Sequence, residues 1–163
     1  MKYLLDTNIC IYVINEKPKR VLRKFEQYPV HEFGISSITH AELQYGIAKS
    51  RHKNRNQEAL DEFLLPLIIL PFHGRDVVVC YGEIRTFLES KGQTIGPLDT
   101  LIAAHALSLD LTIISNNIRE FSRISNLQCE NWISETYWYR PLPQGQKSHY
   151  LPKNTISNEA AKC

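Results

Sequence analysis

The sequence predicts an α/β fold: a single domain with a mainly parallel central β-sheet flanked by helices, plus an extended C-terminal tail. Three observations lead there. Short apolar runs alternate with helix-length segments through residues 1–133, and strands separated by helices imply crossovers rather than hairpins. The stretch "TIGPLDTLIAAHALSLDLTIIS" (94–115) is apolar on almost every side from Leu98 to Leu109, the mark of a buried helix, and leads directly into a strand. With 163 residues, 43% hydrophobic and 22% charged, the chain has enough material for one core without disulfides or metals as staples.

In order, strands are predicted at 2–5 (KYLL), 33–36 (FGIS), 67–70 (LIIL), 111–115 (LTIIS) and 128–132 (QCENW). Helices are predicted at 8–15, 18–28, 38–50, 55–65, 74–91, 97–109 and 118–122. Pro18 and Pro97 suit first-turn positions, where a missing N–H costs nothing, and Gly92 suits a helix stop. No internal repeat or low-complexity segment interrupts 1–133. After Ile133 the character changes. "SETYWYRPLPQGQKSHYLPKNTISNEAAKC" has three prolines, one glycine and no sustained periodicity, so 134–163 is expected to be an irregular or disordered tail.

The formal net charge is +2, and the four basic and two acidic side chains after residue 133 account for it. Net charge therefore argues neither for nor against a nucleic-acid partner. Local charge says more: "KPKRVLRK" (17–24) holds five cations in eight residues, and "KSRHKNR" (49–55) holds four and a histidine. Such clusters are either phosphate contacts or solvated helix faces.

Cys10, Cys80, Cys129 and Cys163 show no CxxC spacing and read as thiols of a reducing compartment. The apolar run in "MKYLLDTN" is too short for a secretion signal, and "FLLPLIILPF" (63–72) is too short and proline-broken to span a bilayer. A cytoplasmic protein without a membrane partner is expected. There is no GxxxxGK[ST], GxGxxG or GxSxG, and the six histidines form no HxxxH pair or His/Cys cluster, which counts against zinc. His105, on the buried helix, reads as a packed, hydrogen-bonded histidine.

Carboxylates are the remaining candidates. Open α/β sheets gather functional groups at the carboxyl ends of their strands. Asp6 follows the first strand, Glu42 lies early in the helix after "FGISS", Asp99 opens the buried helix, and Asn117 and Glu120 follow "LTIIS", which ends in Ser115. Each has a plain alternative. Asp6 in "DTN" caps a helix or forms an Asx-turn, Thr39 and Glu42 have capping-box spacing, Asp99 suits a helix dipole, and Glu120 is a solvated charge. Together the alternatives weaken, because four acids from different crossovers would share one sheet edge. Two unit charges 4 Å apart repel by roughly 4 kcal/mol at an effective dielectric near 20. Such repulsion calls for protonation or a cation, and an all-oxygen donor set selects a hard ion such as Mg²⁺ or Mn²⁺.

The segments "LLDTNICIYVI" (4–14), "ISSITHAELQYGIAKS" (35–50), "IGPLDTLIAAHAL" (95–107), "TIISNNIREFSRI" (112–124) and "ENWI" (130–133) resemble, in order, the PIN-domain toxins of the VapC family, in the branch of tRNA(fMet)-specific endonucleases. The resemblance implies a PIN-like domain over 1–133. It also implies a Mg²⁺-dependent endoribonuclease, with Mn²⁺ as a possible substitute, that cuts initiator tRNA in its anticodon region. Asp6, Asp99 and Glu42 then match metal ligands and, with Glu120, the catalytic acids. Thr7, Asn8, Ser115 and Asn117 support them, and Arg20, Arg23, Lys49 and Arg51 are candidate RNA phosphate contacts. "SNNIREF" differs from the branch's "TNNxxEF" in Ser115, and Asn117 supplies no full negative charge where many PIN domains carry an acid. The implied partners are RNA, a cognate antitoxin protein and a second copy of the chain in a homodimer. Two rival readings stay open on the sequence: a related metal nuclease acting on rRNA or DNA, and a non-catalytic binding module that keeps the fold.

Overall fold

The protein's computed structural model describes residues 1–133 and 138–139. Five parallel strands form the centre of a six-stranded sheet: β1 (Tyr3–Leu5), β2 (Phe33–Ser36), β3 (Ile68–Leu70), β4 (Thr112–Ile114) and β5 (Cys129–Glu130). The spatial order is β3-β2-β1-β4-β5-β6, where β6 (Trp138–Tyr139) runs antiparallel to β5. The α/β class read from the sequence is what the chain adopts. The tail expected over 134–163 lies outside the described residues apart from β6, a strand the sequence reading did not contain.

The helices are α1 (Thr7–Ile14), α2 (Lys19–Phe25), α3 (Ser37–Lys49), α4 (Lys53–Leu64), α5 (Arg75–Ser90), α6 (Pro97–Ser108) and α7 (Ile118–Phe121). Every helix and strand predicted within 1–133 exists, with shifted ends. α2 stops at Phe25 rather than 28, because a residue before proline avoids the helical region and Pro29 follows Tyr28. A single 3-10 turn at Val30–Glu32 then leads into β2. The last parallel strand shrinks from 128–132 to two residues. α5 ends as expected at Gly92, whose φ of +62° is a left-handed stop that glycine adopts without Cβ strain.

Alternation in the strands splits the core between the two faces of the sheet. Tyr3, Leu5, Phe33, Ile35 and Ile114 pack with α1 to α4 and Trp132. Leu4 and Ile113 pack on the other face with α5, α6, Phe121 and Leu127. Both sets are almost fully buried, which is why the strands read as continuous apolar runs. α6 contributes Ile102, Ala103, Ala104 and Ala106, all with no exposure. No described helix is long and apolar enough to cross a membrane.

The strand order sets the place of the site. From β1 the chain winds outward through β2 to β3, then returns across the sheet to lay β4 on the other side of β1. Connections leave β1 and β4 in opposite directions, which opens a crevice at their carboxyl ends.

Candidate active site

Register places Asp6 and Ser115 side by side at that crevice. Leu5 pairs with Ile114, and one residue later the Asp6 backbone N–H donates to the Ile114 carbonyl at 3.0 Å. Asp6 is 3% exposed and caps α1, its Oδ1 accepting from the Thr7 N–H at 2.7 Å. Its Oδ2 accepts from the Ser115 hydroxyl at 2.5 Å and the Asn8 amide at 2.7 Å. The helix-cap alternative is thus realised, and the same carboxylate still faces the crevice. Capping and function are not exclusive here.

Glu42 reaches the cluster from α3. Its Oε2 accepts from the Thr7 hydroxyl at 2.5 Å. The capping-box alternative is not realised: Ser36 caps α3, accepting from the Ile38 N–H at 3.1 Å, and leaves Glu42 in the second turn. Thr39, the other half of that spacing, is fully buried, and its hydroxyl has no hydrogen-bond partner among the described residues. Ser36 also meets His105 Nδ1 at 2.9 Å, which ties the start of α3 to α6 and bears out the packed-histidine reading.

Asp99 is the third residue of α6, behind Pro97 at its first position. A Cβ added to Gly96 would stand 2.9 Å from Asp99 Oδ2, so the glycine makes room for the carboxylate. Asn117 donates to the same oxygen at 3.4 Å and, through its backbone N–H, to Ser115 Oγ at 2.9 Å. Glu120, on α7, is close enough to Asp99 to raise its pKa.

Electrostatics follow from this crowding. Burial raises the Asp6 pKa, with the Glu42 charge adding to it, while the bonds from Ser115, Thr7 and Asn8 pull it back. Asp99 is pushed up to about 7, first by burial, then by the Asp6 charge, by Glu120 and by the Glu42 charge. Asp99 therefore feels the other three predicted acids, and Asp6 feels Glu42. They share a field without sharing a finished coordination sphere: among the described residues, no three His, Cys, Asp or Glu side chains are grouped closely enough to hold an ion as they stand. The donor set is nevertheless all oxygen, crowded and short of positive charge, which fits a hard divalent cation.

The predicted cations stand apart. Arg20 and Arg23 are exposed on α2, and Arg20 donates to the Ile133 carbonyl at 3.4 Å. Lys49 ends α3 and Arg51 lies just beyond it, both exposed. Sequence reasoning missed one pair at the rim. The Asn116 side chain donates to the Tyr12 hydroxyl at 3.0 Å, and the Asn116 backbone N–H donates to Asn8 Oδ1 at 3.4 Å. The partners are 104 residues apart, so no local pattern announces them.

This arrangement has known counterparts. The PIN domain family matches residues 3–127, from β1 to the turn before β5. This chain belongs to the PIN-domain family. Within it, Ribonuclease VapC2 of Rickettsia felis is 49% identical over 133 residues, covering 81% of this chain and 98% of that protein. The tRNA(fMet)-specific endonuclease VapC of Salmonella typhimurium is 39% identical over 132 residues, with 81% and 98% covered. Among solved structures, VapBC2 from Rickettsia felis bound to a promoter DNA fragment superposes with a TM-score of 0.74 at 47% identity, covering 81% of this chain and 99% of that one. VapBC-1 from nontypeable Haemophilus influenzae gives 0.73 at 33% identity, covering 82% and 100%. The chain is thus a PIN domain of the VapC ribonuclease family, and PIN-domain ribonucleases depend on divalent metal.

Proposed function

We propose that this chain is the toxin of a toxin–antitoxin pair, an endoribonuclease that hydrolyses initiator tRNA in its anticodon region with Mg²⁺, in the cytoplasm where that substrate resides. The observation that carries the reading is the bonding that ties three acids from different connections together, Asp6 to Glu42 through Thr7 and Asp6 to Asp99 through Ser115 and Asn117, with Glu120 acting on Asp99. Four carboxylates that form no ion pair among the described residues suit phosphodiester chemistry, where a divalent ion and a phosphate supply opposite charges. The tRNA assignment leans on the Salmonella typhimurium relative named for that activity. The antitoxin partner leans on the VapBC complexes above. Residues 1–133 form the nuclease unit in this reading.

In the proposed reaction, Asp6 and Asp99 hold the Mg²⁺ ion and Glu42 completes its ligands. When bound, the ion supplies charge neutralisation at the scissile phosphate and increases the acidity of an attacking water. Glu42 or Glu120 accepts the proton of that water as it attacks in line, the opposite P–O bond breaks, and the departing sugar oxygen takes a proton from solvent. Thr7 fixes the Glu42 carboxylate, and Ser115 and Asn8 fix Asp6, so these acids keep their aim as charge builds on the phosphoryl oxygens. Asn117 braces Asp99. Arg20, Arg23, Lys49 and Arg51 contact flanking phosphates. A homodimer completes the proposal. Its surface is the outer face of α5, where Val78, Val79 and Phe87 remain 53%, 47% and 42% exposed.

Sequencing of tRNA ends after brief induction tests the reading, with Asp6→Ala as control. New ends confined to the initiator tRNA anticodon loop, present with the wild type and lost in the variant, are the expected result. Cuts spread through rRNA or DNA would transfer the activity to another nucleic acid. Equal cleavage by the variant would end the carboxylate mechanism.

A further inference from the structure

α3 carries more than Glu42 along the stripe that leads away from the carboxylates. Tyr45 and Gly46 lie one turn on and Lys49 two turns on, so the four residues share one side of the helix. Tyr45 is 64% exposed, and the Lys49 ammonium sits 5.0 Å from the centre of its ring. Gly46 is exposed, and a Cβ added there would meet nothing within 4 Å. Glycine weakens a helix interior, and nothing among the described residues approaches closely enough to need its missing side chain. The charge is also one-sided. Between Glu42 and Glu58 the sequence has no acid, while Lys49, Arg51, Lys53 and Arg55 are all exposed.

We propose that this strip is a nucleotide subsite: Tyr45 stacks on a base of the RNA flanking the cleaved bond, and Lys49 contacts its phosphate. It rests on the ribonuclease reading above and names residues that would set substrate position. Single-stranded RNA is bound by splayed bases stacked on aromatic side chains, with cations tracking the backbone. The strip supplies both within two helical turns of a carboxylate of the site. Gly46 lets the nucleotide lie against the helix, and Lys49 turns from the ring to the phosphate, the stronger anionic partner. A nucleic acid suits the strip better than a second copy of the chain, which would set like charges against each other.

The test uses the full-length chain in EDTA, so that nothing is cleaved, and a labelled single-stranded RNA of about twelve nucleotides with one abasic residue moved along it. Tyr45→Ala is expected to weaken binding roughly 5- to 100-fold, while Tyr45→Phe stays within about twofold of wild type, because the ring alone stacks. One abasic position should weaken the wild type by a similar factor and leave Tyr45→Ala unaffected. With Mg²⁺ restored, Tyr45→Ala should raise KM with little change in kcat. The inference fails if each abasic penalty is the same in both proteins, or if Phe is no better than Ala. It fails equally if Tyr45→Ala changes only the oligomeric state or antitoxin affinity, which would make the strip a protein interface. If the wild type cleaves RNA while Tyr45 has no effect, only this inference falls; if it neither binds nor cleaves RNA, the ribonuclease reading falls too.

Discussion

The Ser115 hydroxyl donates to Asp6 Oδ2 at 2.5 Å, joining the ends of β4 and β1 across the point where the sheet changes direction. The bond favours the ionised form of a carboxylate that burial pushes toward the neutral one. Ser115→Ala should raise the Asp6 pKa further and move the acid limb of the pH–rate profile to higher pH. A hydrogen bond to a charged group contributes about 1.5–3 kcal/mol, so kcat/KM should fall roughly 10- to 100-fold at neutral pH. Ser115→Thr keeps the hydroxyl and should retain most activity. Initial rates across pH for the three proteins check this, and an unmoved acid limb in Ser115→Ala would count against the assignment.

Removing an acid should abolish activity without unfolding the protein. Asp99→Asn keeps the shape of the side chain and removes one charge from a group of four. Loss of a positioned electrostatic contact costs on the order of 10²–10³ in rate, and loss of a metal ligand at least as much. The melting temperature of the metal-free variant should equal or exceed that of wild type, because repulsion is relieved. Cleavage assays beside thermal melts distinguish this from a misfolded variant, whose rate and melting temperature would fall together.

The same crowding predicts an unusual response to pH in metal-free protein. Asp99 titrates near 7 when folded against about 3.9 when unfolded, so the folded state holds its proton longer. Its contribution to stability is fully present below pH ~4 and is lost as pH rises toward 7. Asp6, also raised, adds in the same direction. His105 opposes them: burial lowers its pKa, so its own contribution improves as pH rises toward 6.5. A divalent ion competes with the protons on the carboxylates and leaves His105 alone. The gain in melting temperature on adding Mg²⁺ should therefore be larger at pH 8 than at pH 5. A gain independent of pH would contradict binding at these acids.

What the sequence disclosed, and what it hid, follows the range of the interactions. Asp6, Glu42 and Glu120 could be singled out because each stands just past a strand or in the first turns of the following helix, and Asp99 because it opens the buried helix that leads into β4. The Ser115 hydroxyl bond to Asp6 depends on register between strands more than a hundred residues apart, and the Thr7 hydroxyl bond to Glu42 links α1 to α3 across 35 residues. Tyr12 with Asn116 has no local signature at all. The cap of α3 was ambiguous for a different reason. Ser36, Ser37 and Thr39 all suit an N-cap by type, and pairing of β2 against β1 and β3 decided for Ser36 by carrying the strand that far. Charge clusters were visible as sequence, but their orientation was not: α2 directs Arg20 to the Ile133 carbonyl, whereas α3 aligns Lys49 with Glu42 and Tyr45.

Thr39 offers a test of the packing behind the site. It lies one turn before Glu42 with its side chain fully buried, and its hydroxyl is unpaired among the described residues. A buried hydroxyl without a partner costs about 1–3 kcal/mol of lost hydration, whereas a methyl of the same shape incurs no such loss. Thr39→Val should therefore hold or raise stability, by up to roughly 1 kcal/mol, since the two β-branched side chains suit a helix about equally. Urea unfolding should show a higher midpoint with an unchanged slope. Because Thr7 rather than Thr39 holds the Glu42 carboxylate, cleavage should stay near wild type in Thr39→Val and fall in Thr7→Val. A lower urea midpoint for Thr39→Val would mean that its hydroxyl is bonded after all. A loss of cleavage with the midpoint unchanged would place that hydroxyl in the chemistry of the site.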